Sequence, residues 1–170
     1  GIENPIGIKV GPTTNEEELV KILDYINPKN EAGKITLICR MGADKIDSHL
    51  PQIIQKIIKE GKNVVWACDP MHGNTIKSNT GYKTRPVTSI FSEIQKFFAI
   101  HRSLGSYPGG VHLEMTGSDV TECMGGLQEI TDEDLKNRYH TFCDPRLNAS
   151  QSLEIAFLIS EYLKDEKFLS

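Results

Sequence analysis

Four times along this chain a short apolar run breaks off beside a charged residue, and a stretch with helical apolar spacing follows. The runs cover residues 6–10, 34–40, 64–68 and 110–115, and Lys9, Arg40, Asp69 and Glu114 stand at their C-terminal ends. Such alternation predicts parallel strands joined by helical crossovers. Two closures satisfy it. An open doubly wound sheet binds its ligand where strand order reverses and carries a glycine-rich turn after its first strand, but no G-x-G-x-x-G occurs here. A (β/α)8 TIM barrel instead places functional side chains at the C-terminal ends of many strands, where the four charged residues stand. Parity agrees, because Lys9, Arg40 and Glu114 lie on the opposite face from Ile8 and Val10, Leu37 and Cys39, and Leu113 and Met115 respectively. The expected fold is therefore α/β of the (β/α)8 barrel type. A whole barrel needs about 200 residues or more, so these 170 residues are expected to make about half of one.

The helices are predicted from caps and stripes. Thr14 with Glu17 reads as a capping box ahead of Leu19, Ile22, Leu23 and Ile26, ending at Asn27-Pro28. A second helix is expected over 48–60, with Pro51 in its first turn, Ile53, Ile54, Ile57 and Ile58 inward, and Gly61 just past its end. The third covers 86–104 and carries Ile90, Phe91, Ile94, Phe97 and Phe98. A short helix is predicted near 132–138. The last, over 149–164, is capped reciprocally by Asn148 and Gln151, with Leu153, Ala156, Phe157, Ile159 and Leu163 as its core face.

Composition narrows the partners. A net charge of −4 spread through the chain leaves no basic face for counterion release, so nucleic acid is not the expected partner. No apolar run is long enough to span a membrane, and residues 1–5 resemble no signal peptide, so the expected location is cytoplasmic, with no membrane partner. The four cysteines form no C-x-x-C pair and are expected to be reduced: Cys39 and Cys68 as core residues, Cys123 and Cys143 as more reactive thiols in polar loops.

Chemistry concentrates after the third run, where Asp69, His72, Asn74, Lys83 and Arg85 share one loop. His72, Glu114 and Asp144 are the best candidate metal ligands, because one imidazole and two carboxylates suit a borderline divalent ion better than calcium. His112 ranks below Glu114 by strand parity. Lys9 and Arg40, at adjacent strand ends, are candidates for holding a phosphate or carboxylate, or else they pair with Asp69 or Glu114. Lys83 and Arg85 are weaker candidates for a second anion, since loop cations are commonly solvated. No nucleophile elbow or Ser-His-Asp arrangement is visible.

Six segments carry a resemblance. Residues 4–12 (NPIGIKVGP), 40–46 (RMGADKI), 66–75 (WACDPMHGNT), 81–85 (GYKTR), 110–117 (GVHLEMTG) and 143–148 (CDPRLN) together resemble the type II, plant-like 3-deoxy-D-arabino-heptulosonate 7-phosphate (DAHP) synthases. The resemblance implies a (β/α)8 barrel of which residues 1–170 supply about the last four βα units, as the single-domain C-terminal half. It implies the condensation of phosphoenolpyruvate with erythrose 4-phosphate and water to DAHP and phosphate, the first step of the shikimate pathway of aromatic amino acid biosynthesis. It also implies that His72, Glu114 and Asp144 bind a divalent metal, manganese or cobalt first and zinc or iron as alternatives, which polarises the aldehyde oxygen while the enol carbon attacks. Lys9 and Arg40 would bind phosphoenolpyruvate. The family's N-terminal half supplies a cysteine metal ligand and further arginine, lysine and glutamate residues, and no segment here matches it.

The first expectation is thus part of a metal-dependent aldol-type transferase, inactive alone, whose partners are its two substrates and either a missing N-terminal half or a second copy. The alternative is a non-catalytic fragment that self-associates and keeps weak affinity for metal and phosphate. An unrelated metal-dependent barrel aldolase or hydrolase is a third reading, which requires the six motifs to be coincidental.

Overall fold

The computed structural model describes residues 3–164. β1 (Ile6–Val10), β2 (Ile35–Cys39), β3 (Val65–Cys68) and β6 (Gly110–Val111) form one parallel sheet in the order β1-β2-β3-β6. β4 (Ile76–Lys77) and β5 (Lys83–Thr84) form a small antiparallel hairpin. The helices are α1 (Glu16–Ile26), α2 (Ile46–Lys59), α3 (Val87–Ser103) and α4 (Ala149–Leu163). Strand order follows chain order without reversal, and crossovers between parallel strands are right-handed, so α1, α2 and α3 fall on one face of the sheet. Consecutive helices accordingly pack side by side, α1 on α2, α2 on α3 and α3 on α4. A doubly wound sheet would place helices on both faces. The barrel expectation is met only in part: the described strands make an open sheet and do not close.

The buried face of the sheet consists of Val10, Ile35, Leu37, Cys39, Trp66 and Cys68, and onto it pack Leu19, Leu23, Ile53, Ile54, Ile57, Ile90, Ile94 and Phe97. Burial of each such side chain stabilises the domain by roughly 1.5–3 kcal/mol. The alternate residues Gly7, Lys9 and Val65 point to the uncovered face and are exposed.

Several boundaries differ from expectation. The cap of α1 is Asn15, whose side chain accepts from Glu18 N at 3.0 Å, because Thr14 Oγ1 already accepts from Gly11 N at 2.9 Å to close the turn after β1. Helix α2 starts at Ile46, so Pro51 is its sixth residue, beyond the first turn. Gly61 terminates it with φ 62° as expected. Ile22 and Ile58, at the margins of their stripes, are half-exposed. The fourth strand pairs only over Gly110–Val111; further on, Met115 bridges Leu147 in parallel, with Thr116 N donating to Leu147 O at 2.9 Å and Leu147 N to Glu114 O at 3.0 Å. The short helix near 132–138 is a single 3₁₀ turn, Leu135–Asn137.

The rotation of α4 overturns most of its predicted core face: Ile159 packs against the core, whereas Leu153, Ala156, Phe157 and Leu163 are exposed. Asn148 and Gln151 form the expected capping box, but the Gln151 side chain is buried and donates to Cys123 O (3.0 Å) and Gly125 O (3.1 Å). That anchor turns Gln151 and Ile155 inward. Leu153, about 200° from each of them around the helix axis, faces out with Phe157, at 61% and 71% exposure. Cys123 is also corrected: it is fully buried, and burial pushes its thiol pKa up to about 12, so it is an inert core group. All four cysteines are free, and Cys143 is exposed. Among the described residues no helix is long and apolar enough to cross a membrane.

Candidate metal and anion site

The site grows from the point where β3 stops. Asp69 N still donates to Cys39 O at 2.7 Å, continuing the ladder, but Pro70 cannot. The chain turns there because Asp69 Oδ1 accepts from Met71 N (3.1 Å) and His72 N (3.2 Å), starting the 3₁₀ turn His72–Asn74. The other oxygen, Oδ2, accepts from Lys9 Nζ and lies 2.7 Å from His72 Nδ1. Burial opposes ionisation of Asp69, yet the hydrogen bonds from Lys9 and the His72 backbone outweigh it and lower its pKa. With Nδ1 engaged, His72 presents Nε2 outward.

Two carboxylates meet that nitrogen. Glu114 Oε1 is 3.5 Å and Asp144 Oδ2 3.7 Å from His72 Nε2, and one ligand atom from each of the three residues lies within 4.8 Å of the others. The Met115–Leu147 bridge explains the meeting, since it aligns the segment bearing Glu114 with the one that follows Asp144. Behind the carboxylates stand cations. Lys83 Nζ binds Asp144 Oδ1, and that bond, followed by the nearby charges of Lys83 and Arg85, keeps the Asp144 pKa low against burial. Arg85 binds Glu114 Oε2 through Nη1. One imidazole nitrogen and two carboxylate oxygens so close together are a donor set that fits a divalent cation of the manganese-to-zinc series.

The two phosphate candidates diverge. Lys9 is engaged with Asp69, whereas Arg40 is exposed: its backbone N donates to Val10 O at 2.8 Å, but its guanidinium has no hydrogen bond or ion pair among the described residues. Arg85 departs from expectation in the other direction: it is not a solvated loop cation but a fully buried one. Its Nε donates to Thr75 Oγ1 at 2.8 Å and its Nη1 also to Pro145 O at 2.6 Å. The β4–β5 hairpin delivers it there, with Thr84 Oγ1 donating to Glu122 O (2.8 Å) and Met124 N to Arg85 O (3.0 Å). Lys83, two residues earlier, stays half-exposed. His112 is exposed and stands outside the ligand cluster.

Sequence reading missed two buried acids. Glu93 of α3 accepts from Met41 N and Gly42 N, both at 2.9 Å, and from Asn74 Nδ2 at 2.6 Å. It therefore ties the loop after β2 to the loop after β3. Those loops touch so closely that a Cβ on Gly73 would stand 2.4 Å from Gly42 N. Burial raises the Glu93 carboxyl to about 7 despite its donors. An acid between Ile90 and Ile94 on an apolar stripe was the available signal. Glu122 is buried too, and it receives Arg146 through Nε (3.0 Å) and Nη2 (2.7 Å) together with the amides of His140 (3.1 Å) and Arg146 (2.8 Å). This anchors the loop that carries Asp144. Nothing local distinguishes Glu122 from its polar neighbours in sequence.

The family model of the Class-II DAHP synthetase family matches residues 1–160. The chain is 55% identical over 164 residues to the phospho-2-dehydro-3-deoxyheptonate aldolase AroG of Mycolicibacterium smegmatis, an alignment covering 96% of this chain and 35% of that protein. It is 51% identical over 165 residues to the phospho-2-dehydro-3-deoxyheptonate aldolase of Streptomyces coelicolor, covering 97% of this chain and 37% of that protein. The chain thus spans about a third of the length of these curated relatives.

Proposed function

Because the chain belongs to the Class-II DAHP synthetase family, we propose that it carries part of the active site of a DAHP synthase, which joins phosphoenolpyruvate, erythrose 4-phosphate and water into DAHP and phosphate. The observation carrying this reading is the convergence of His72 Nε2, Glu114 Oε1 and Asp144 Oδ2 within 4.8 Å beside the exposed Arg40 strand end. In this reading residues 1–170 are the C-terminal half of a (β/α)8 barrel, and the free sheet edges await the other units. Its place is the cytoplasm, in keeping with four free thiols.

His72, Glu114 and Asp144 would hold a divalent metal, manganese or cobalt before zinc or iron. Bound there, the ion supplies Lewis-acid polarisation of an aldehyde oxygen. The rest falls to the chain's own groups. Asp69 keeps the His72 proton on Nδ1, so that Nε2 remains a lone-pair donor. Lys9, Lys83 and Arg85 formally balance Asp69, Glu114 and Asp144, so that a divalent cation turns the site net positive and suited to two phosphorylated substrates. Arg40, uncommitted and with a planar fork of donors, binds the phosphate or carboxylate of phosphoenolpyruvate, and Lys9 contributes a second positive charge at the adjacent strand end.

The test is a synthase assay of the chain with manganese, alone and mixed with the remaining portion of a full-length relative. Turnover only in the mixture is expected; none in either would remove the synthase reading. The second reading, a non-catalytic chain that self-associates with weak metal and phosphate binding, is favoured by one observation: Leu153 and Phe157 form an uncovered apolar face.

A further inference from the structure

Arg85 has no role yet beyond pairing with Glu114, and its surroundings assign it one. Building on the metal reading above, we infer that Arg85 is the positioning residue that makes Glu114 and Asp144 one-oxygen ligands. Each carboxylate is divided in the same way. On Glu114, Oε1 faces His72 Nε2 while Oε2 is taken by Arg85 Nη1; on Asp144, Oδ2 faces His72 Nε2 while Oδ1 lies 4.0 Å from Arg85 Nη2. A carboxylate with both oxygens free can chelate an ion with either or both. A guanidinium bonded to one oxygen removes that oxygen from the competition and fixes the rotation of the group, so the other points into the cluster.

Arg85 is held as a positioning group needs to be. It is fully buried, and Thr75 Oγ1 and Pro145 O fix its Nε and Nη1, which leaves the planar fork one orientation. The remaining donor, Nη2, is buried without a hydrogen-bond partner, which is uncommon for a buried polar atom. Asp144 Oδ1 needs to approach by only about 1 Å to come within hydrogen-bond range of it. Lys83, the present partner of that oxygen, rides half-exposed on the β4–β5 hairpin and is free to leave; Arg85 is not. When Lys83 is drawn away, Nη2 takes Oδ1, and Asp144 stays a one-oxygen ligand. A lysine at position 85 would keep the charge but not the fork that spans both acids.

The experiment uses the full chain loaded with cobalt(II), comparing the parent with Arg85→Lys, Arg85→Met and Thr75→Val, each checked for fold by circular dichroism. Affinity is read by calorimetry and the coordination of the ion by its visible absorption, whose intensity drops as additional oxygens join. Arg85→Lys and Arg85→Met are expected to lower cobalt affinity about 10–100-fold and to weaken the absorption band. Thr75→Val, which loosens the fork without removing its charge, should shift both in the same direction by less. Parent-like affinity and spectrum in a folded Arg85→Lys would overturn the inference. If neither Arg85 variant folds, parent-like values in Thr75→Val overturn it instead. A parent chain that binds no cobalt sinks the metal reading itself, and the inference with it, which is a distinct result from a binding parent matched by its variants.

Discussion

His72 Nδ1 lies 2.7 Å from Asp69 Oδ2, an oxygen that also accepts from Lys9 Nζ, so Lys9 of β1 and Asp69 just past the end of β3 orient the His72 ring through one buried carboxylate. Asp69→Asn keeps the shape but replaces one accepting oxygen with an amide donor. We expect manganese affinity, measured by calorimetry, to fall about 10–100-fold. An unchanged value would mean that Asp69 serves only the turn.

Arg40 and Lys83 separate the two kinds of cation. Arg40 is uncommitted at a strand end, while Lys83 is paired with Asp144 on a hairpin. Arg40→Ala should weaken binding of phosphoenolpyruvate at least about tenfold, equivalent to about 1.4 kcal/mol, and Lys83→Ala by clearly less. Equal losses in equilibrium dialysis would show the ranking to be wrong.

Glu93 predicts a pH dependence. Burial holds its folded pKa at about 7, above the ordinary glutamate value of 4.5, so the folded state binds this proton more tightly than the unfolded chain does. The group's favourable contribution is complete below about 4.5 and is lost as pH rises to about 7, on the order of 3 kcal/mol in all. Asp69, Glu122 and Asp144, whose pKa values are lowered, act in the opposite sense at more acid pH. Urea titrations of the parent and Glu93→Gln across pH 5 to 8 isolate the term: the parent should lose stability relative to the variant as pH rises.

Glu122→Ala removes one side of a buried pair and strands two amides. Breaking such a pair costs about 3–5 kcal/mol, and the part-exposed Arg146 places this case toward the lower figure. Chemical denaturation should register that loss. A change under about 0.5 kcal/mol, as for an ordinary surface substitution, would contradict the anchoring role.

The outward face of α4 predicts association. Leu153 and Phe157 are exposed beside a groove of about 520 Å³ lined by Met115, Ala149 and Ala156 among others. Light scattering at micromolar concentration should detect assemblies larger than one chain, and Leu153→Glu with Phe157→Glu should reduce them. A parent that stays monomeric counts against the self-association reading.

Period and punctuation were enough to mark β1, β2, β3, α3 and the capping box of α4, because apolar spacing, caps and breakers act within a few residues. The same local logic put Lys9, Arg40 and Asp69 at strand ends, and their order along the chain became the order of strands in the sheet, whereas Glu114 lies three residues past the end of its strand at Val111. What stayed hidden depends on partners remote in sequence. Arg85 reads as a loop cation until Glu114 and Pro145 surround it, and Glu122 reads as one more polar residue until Arg146 folds onto it. Leu153 and Phe157 match a core stripe as well as Ile155 does; only the grip of Cys123 O and Gly125 O on Gln151 decided which side of α4 turned inward. Hydrophobic period specifies that a helix has an inner face, but a buried hydrogen bond left unmade costs about 1–3 kcal/mol, enough for tertiary contacts to choose which face that is.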